Sequence, residues 1–408
     1  MTDARDGSRS LDYRRWQRGR IVVGSRAYGV ATKSGLAAHG HDDPGTLMLA
    51  EAVVAALGRE ATAGGVVVSM PSGNGLVGAV AATHGAAAVW MTDRNGIGAE
   101  ASRRTLEQME ITTGVDVRLG HGAGPLPADL VADIVAIRVV PERLPMQQLL
   151  HDARRLLRPG GICLVAGANA EGAKTAARAL QQMFGSAHVI AQHSSHRLVS
   201  AIRPESLPPL PPELESEYLE PHRFHEIPVA VQGFQFTLFT RPGVFSWEHL
   251  DEASAVLSEL LDVSLGERVL DIGCGAGALG TLAAWQSRTG EVVMVDADVE
   301  SVRCANRTLQ AAGLSNASAV VSDIASAVLD QRFDVVVANP PFHVGKHTDL
   351  EVPRQFIRDA FEVLRPGGRL RIVANRTLPY EGVVQDAFGQ VQTLHDGRRF
   401  KVLGAVKP

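Results

Sequence analysis

The sequence predicts an α/β protein built from two consecutive doubly wound, mostly parallel sheets. Three observations carry this. Short, near-continuous Val/Ile/Leu runs alternate with helical stretches, the pattern of βαβ units whose strands are buried on both faces. Landmarks of the first half recur in the second half in the same order. The composition, 45% hydrophobic and 21% charged with 41 Gly and 5% aromatic residues, is that of a folded chain rich in turns. A length of 408 residues fits two or three domains at roughly 100–200 residues each. The net charge of −4 excludes a bulk polycation that coats nucleic acid, but not a nucleic-acid substrate met by a local patch.

The duplication rests on four landmarks. Gly73 and Gly75 recur 202 positions later as Gly275 and Gly277. Asp93 in VWMTDRN recurs as Asp296 in VVMVDAD. Arg103, Thr105 and Leu106 precede a loop, as do Arg307, Thr308 and Leu309. The LRPGG turn from Leu157 to Gly161 recurs from Leu364 to Gly368. Five of the nine residues from Pro204 to Pro212 are proline, which removes backbone donors and stiffens the chain into an extended linker. The expected division is therefore 1–203, a linker at 204–216, and 217–408. In the second copy, 268–272, 292–295, 319–321, 335–338 and 369–373 read as strands, with helices at 299–312 and 354–364.

Other features mainly exclude. Cys163, Cys274 and Cys304 lie far apart with no C-x-x-C pair. That rules out a disulfide scaffold, argues against a zinc site, and fits a reducing compartment such as the cytoplasm. No metal is expected. Residues 61–92 carry no charge apart from His84, a length able to span a bilayer. Pro71, Asn74 and six glycines interrupt the run. It reads as strand, glycine loop, small-residue helix and second strand, so no membrane association is expected. Arg14-Arg15 precedes polar and basic residues at 16–20, without the apolar region of a twin-arginine signal.

The chemistry gathers at strand ends in the second copy, where ligands of doubly wound sheets bind. The D-x-G-x-G-x-G run of Asp271, Gly273, Gly275 and Gly277 ends a strand and begins a helix. Its glycines admit positive φ and close ligand approach, and the helix amides face the ligand. Nucleotide, flavin and methyl-donor proteins share such a loop. Three acids narrow the choice. Asp271 suits the cationic amino-acid end of a methyl donor. Asp296, about 20 residues on, suits ribose hydroxyls. Asp323 closes a third strand and suits an adenine amino group.

A second motif, Asn339-Pro340-Pro341-Phe342-His343, follows the strand at 335–338. The prolines stop the strand and fix a rigid turn. Asn339 and the Pro340 carbonyl then present two acceptors to one planar NH₂ group. Accepting its protons, or bending its nitrogen toward sp³, raises its reactivity toward a sulfonium methyl. Phe342 supplies a stacking face. His343 either contacts substrate or hydrogen-bonds the loop. Lys346 either meets a phosphate or is solvated.

These residues resemble a known family. The second half resembles the class I S-adenosylmethionine-dependent methyltransferases of the "small" group. It is most similar to the bacterial ribosomal RNA guanine-N2 methyltransferases, which carry a duplicated, degenerate N-terminal domain. The matching pieces are PGVFS at Pro242–Ser246, VLDIGCGAGALG at Val269–Gly280, NPPFHVG at Asn339–Gly345, RIVAN at Arg371–Asn375, LPY at Leu378–Tyr380 and RFKV at Arg399–Val402. NPPF by itself is shared with adenine-N6 and protein-glutamine methyltransferases. The resemblance implies two tandem Rossmann-like domains, the first degenerate. It implies S-adenosylmethionine held by Asp271, Gly273, Gly275, Asp296 and Asp323, and a target amine held by Asn339. The implied partner is ribosomal RNA or a ribosomal subunit, met by a monomer. A non-catalytic RNA-binding or assembly protein is the reading from another class.

The first copy lacks the chemistry. Ser69 stands for Asp271, Pro71 for Gly273, and Arg138-Val139-Val140 for Asn339-Pro340-Pro341. One cofactor site per chain is expected, within 217–408, leaving the first copy to bind RNA or support the second. Its leader, residues 5–26, holds seven arginines with Tyr13 and Trp16 interleaved, suited to phosphates and bases.

Overall fold

The computed structural model describes residues 13–36, 43–341 and 351–408. Among these, each half forms a seven-stranded sheet. In the second half the strands lie in the order Ala317–Val321, Val292–Asp296, Val269–Ile272, Phe333–Ala338, Leu364–Asn375, Phe400–Val406, Gln392–Asp396. The pairings across the first five are parallel, and Phe400–Val406 runs antiparallel to both its neighbours. The first half repeats this as Val115–Leu119, Ala88–Asp93, Val66–Met70, Ala132–Arg138, Leu157–Ala168, His196–Ile202, His188–His193. Val269–Ile272 is buried at every position because it pairs on both edges and is covered on both faces. That explains its unbroken apolar run.

The repeated turn has a structural purpose. Leu157–Ala168 and Leu364–Asn375 each include LRPGG, which steps out of register before regular pairing begins at Ile162 and Arg369. The turn is thus part of the strand, as an irregular bulge. Its arginine braces the neighbouring strand. Arg365 donates to Asp334 at 2.7 Å, and Asp334 accepts from the Arg268 amide at 2.8 Å. Arg158, Asp133 and the Val66 amide repeat this at 2.6 and 2.7 Å.

Residues 61–92 form the strand Val66–Met70, a glycine loop, the helix Leu76–Thr83 and the strand Ala88–Asp93. Among the described residues no helix is long and apolar enough to cross a membrane. The proline-rich segment lies along the helix Arg143–Leu156. Arg154 donates to the Pro208 carbonyl at 2.5 Å, and a His151 ring nitrogen lies 2.7 Å from the Leu214 carbonyl.

Each sheet is preceded by a hairpin that sequence reasoning missed, Gln17–Val23 with Arg26–Thr32 and His225–Val231 with Phe234–Thr240. The duplicated threonines tie these hairpins down. Thr105 accepts from the Ala31 amide at 2.8 Å and Thr308 from the Phe239 amide at 3.0 Å.

The two halves meet through equivalent loops. Asn95 and Asp298 form an antiparallel bridge. The Gly96 amide donates to the Ala297 carbonyl at 2.7 Å, and the Val299 amide to the Arg94 carbonyl at 2.9 Å. With Asp93 aligned to Asp296, each bond is the image of the other, so the contact has local two-fold symmetry. Arg94 adds a bidentate pair to Asp298, one arm at 2.9 Å.

Candidate active site

A cavity of about 550 Å³ lies at the carboxyl ends of the second sheet's central strands. That is within the range of small-molecule sites, roughly 300–1,000 Å³. It brings together Gly273, Gly275, Asp296, Asp323, Asn339 and Pro340. Asp271 and Gly277 are not in its lining. Phe342 lies outside the described residues, as do His343, Lys346 and His347.

The glycine loop takes the backbone that only glycine adopts cheaply. Gly273, Gly275 and Gly277 have φ of +74°, +53° and +88°. Gly277 opens the helix Ala278–Gln286 and packs on its neighbour, where an added Cβ would lie 3.0 Å from that of Ala305. It packs closely on the facing helix and lies outside the cavity lining. Asp296 fixes the loop by accepting from the Gly275 and Asp298 amides, both at 2.9 Å. Burial pushes its carboxyl up to about 6, and the charge of Asp298 adds to this against the opposing amide bonds.

Asp271 stands behind the cavity wall. One oxygen accepts from the Gly280 amide at 2.9 Å. The other, Oδ1, is buried with no hydrogen-bond partner among the described residues. Burial, aided by the charge of Asp296, lifts this carboxyl to about 7 despite the Gly280 bond.

Asn339 is clamped by two residues that sequence reasoning did not single out. Its Nδ2 donates to Asp251 Oδ2 and to Ser254 Oγ, each at 2.9 Å. Both donor hydrogens are thereby used, and the amide cannot flip without losing both bonds. Its Oδ1 is buried and has no partner among the described residues. Asp251 is itself held as the N-cap of the helix Glu252–Glu259, accepting from the Ser254 amide at 2.8 Å. The Asp-x-x-Ser spacing announces that cap in the sequence. Nothing local announces that the cap also grips Asn339. At the cavity's edge Phe245 is 64% exposed, and the next residue, Ser246, is held at φ +53°.

The first half keeps this frame without its chemistry. Register places Val67 opposite Val89 and Val269 opposite Val292, which makes Ser69 the counterpart of Asp271. Ile137 and Ala338 both pair with the ends of the central strands, which makes Arg138 the counterpart of Asn339. Arg138 is gripped by Asp43 at 2.6 and 2.9 Å and by Glu171 at 2.8 and 3.1 Å. Burial opposes ionisation of Asp43, but the guanidinium outweighs it and holds that carboxyl at about 2. The position that Asn339 holds in one half is a closed ion pair in the other. Asp93 keeps the loop bonds of Asp296, accepting from the Gly73 and Asn95 amides at 2.9 Å.

The cavity is not confined to 217–408. Tyr13, Gly35 and Ile97 also line it. Asp323 accepts from the Tyr13 hydroxyl at 2.8 Å and is paired with the Lys33 ammonium. Nor is the arginine-rich leader wholly available to phosphates, because Arg14 bonds Asp359 at 2.5 Å and Glu362 at 2.7 Å. Arg5 and Arg9 lie outside the described residues.

Comparison with known proteins gives matches over both halves. The model of the methyltransferase small domain matches residues 27–200 and 235–404. A ribosomal RNA small subunit methyltransferase C of Hahella chejuensis is 32% identical over 282 residues, 69% of this chain and 80% of that protein. A protein of the same description from Chromohalobacter salexigens is 43% identical over 176 residues, 42% of this chain and 51% of its own length. Several such relatives are matched over only about half of their length. Among solved structures, the T. thermophilus 16S rRNA N2 methyltransferase (RsmC), in complex with AdoMet and guanosine, superposes with a TM-score of 0.78. That pair is 27% identical and covers 97% of this chain and 99% of the other.

Proposed function

This chain belongs to the methyltransferase small domain family, and on that premise we propose that it methylates the exocyclic N2 amine of a guanine in small-subunit ribosomal RNA, with S-adenosylmethionine as donor. The observation that carries the reading is the clamped Asn339, which lines one cavity with the glycine loop, Asp296 and Asp323 and whose Oδ1 has no partner among the described residues.

The residues present suit the donor. Asp296 is placed for ribose hydroxyls and Asp323 for the adenine amino group. A cationic amino-acid end would compensate the buried Asp271, whose Oδ1 lacks a partner. The donor, when bound, supplies an electrophilic methyl on a sulfonium. The chain's own residues do the rest. Asn339 Oδ1 and the Pro340 carbonyl accept from the target NH₂ and hold its nitrogen lone pair toward the donor. Most of the catalysis is positioning and fixed dipoles, since Asp251 and Ser254 set the Asn339 orientation before substrate arrives. Phe245 offers an exposed aromatic face at the cavity's edge for the base. Guanine N2 lies on the Watson–Crick edge, so the base must be unpaired or flipped, at a cost of a few kcal/mol. We place the reaction in the cytoplasm and the enzyme as a monomer.

Nucleoside mass spectrometry of ribosomal RNA treated with labelled donor tests this. Label is expected in N2-methylguanosine. Label in N6-methyladenosine or in a protein glutamine instead would transfer the same site to a different amine.

Donor affinity is expected to depend on pH. The Asp271 carboxyl sits near 7 before the donor binds. A cation lodged against the glycine loop in front of it favours the ionised form, so binding lowers that value and releases a proton. S-adenosylhomocysteine affinity therefore rises from pH 5 toward roughly pH 7 and then levels. Calorimetry in buffers of different ionisation enthalpy reads the proton directly. Asp271→Asn should flatten the profile; an unchanged profile would remove Asp271 from the donor's cationic end.

A further inference from the structure

We propose that Tyr13 and Lys33, from the half that has lost its own site, are positioning residues of the donor site, holding the Asp323 carboxylate toward the adenine amino group. The proposal rests on the donor reading above and adds that the adenine end is built by both halves.

Lys33 is 2% exposed. An ammonium removed from water is costly unless it is paired. Its carboxylate partner is Asp323, on the far side of the boundary between the halves. Its ammonium also lies 4.1 Å from the Tyr13 ring centroid and 5.5 Å from that of Trp16, within cation–π range. Tyr13 takes the other oxygen of Asp323 at 2.8 Å and lines the cavity. Both oxygens of one carboxylate are thus oriented by side chains that precede the first sheet. Each oxygen retains lone-pair capacity for an amino group.

The surrounding chain is shaped for this contact. Gly35 has φ +97°, and a Cβ there would lie 3.0 Å from the Tyr13 hydroxyl. The same leader holds the Asp323 loop at a second point. Arg14 bonds Asp359, and the other Asp359 oxygen accepts from the Ala325 amide at 3.2 Å. The duplication supplies an internal control. Lys33 follows the first hairpin at the position that Arg241 holds after the second. Arg241 pairs inside its own half, with Glu300 at 3.0 Å. Of these two equivalent cations, Lys33 is the one that reaches across, to Asp323.

The test uses the full chain, with S-adenosylhomocysteine and its deaminated counterpart S-inosylhomocysteine, which presents an oxo group in place of the adenine amine. Calorimetry on the wild type should show preference for the adenosyl ligand. Lys33→Met should lose on the order of tenfold in adenosyl affinity, the scale of one charge-assisted hydrogen bond, and bring the preference toward unity. Tyr13→Phe, which removes only a hydroxyl, should shift both in the same direction and covers the case in which Lys33→Met does not fold. Lys33→Arg should restore part of the preference. An unchanged preference in the folded variants, or equal weakening of both ligands, overturns the proposal by reducing these residues to scaffold. A wild type that binds neither ligand would instead overturn the donor reading beneath it.

Discussion

Asn339→Ala should lower turnover on the order of 10²–10³-fold, the usual effect of deleting one positioned polar group that acts on the reacting centre. Donor affinity should change little. The side chain is oriented by Asp251 and Ser254, and its remaining polar atom is the Oδ1 assigned to the target amine. The substitution should also leave the fold intact, because Asp251 keeps its capping bond to the Ser254 amide. Single-turnover rates with labelled donor, beside calorimetry with S-adenosylhomocysteine, separate the two effects. A near-normal rate in a folded variant would remove Asn339 from the reaction. Asp251→Ala should reduce the rate less, since it frees the Asn339 amide to rotate without deleting the acceptor.

Asp296→Ala should weaken donor binding by roughly 10–100-fold, the equivalent of about 1.5–3 kcal/mol for hydrogen bonds to a charged group. The duplicated half makes the matching control. Asp93 is buried and Asp296 is half-buried in the cavity lining, both hold two loop amides at 2.9 Å, and both have carboxyls pushed up to about 6, with burial the largest cause. Asp93→Ala should therefore cost similar stability, since each substitution leaves two loop amides without their acceptor, at up to about 1–3 kcal/mol apiece. It should cost much less affinity, because the Arg138 ion pair and Pro71 leave no donor site beside it. Thermal melts and calorimetry on the two variants, with one ligand bound per wild-type chain, give the comparison. Equal losses of affinity, or two ligands per chain, would mean that the first half binds donor as well.

Legibility followed locality. The strands expected at 335–338 and 369–373 lie within Phe333–Ala338 and Leu364–Asn375, because buried parallel strands need unbroken apolar runs. The decay of the first site was equally plain, since Ser69, Pro71 and Arg138 can be read one residue at a time. The hairpins at Gln17–Thr32 and His225–Thr240 were missed. In the first of them Arg18, Gly19 and Arg20 blur the alternation on which a strand reading depends.

What the sequence determined by itself was the class of fold, its duplication, and the candidate site residues within single loops: the glycine run, the acids that end strands, and Asn339. These are consequences of backbone conformation and strand period, which act over a few residues. Only the tertiary structure decided which of them share a cavity. It moved Gly277 and Asp271 off the wall and supplied Asp251 and Ser254 as the clamp on Asn339. It also brought Tyr13 and Lys33 onto Asp323 across 310 and 290 residues of chain. Such contacts depend on where a helix cap or a leader comes to rest after the two halves have packed. No local spacing encodes that position, because it is set by the burial of two cores and by the paired loops at Asn95 and Asp298.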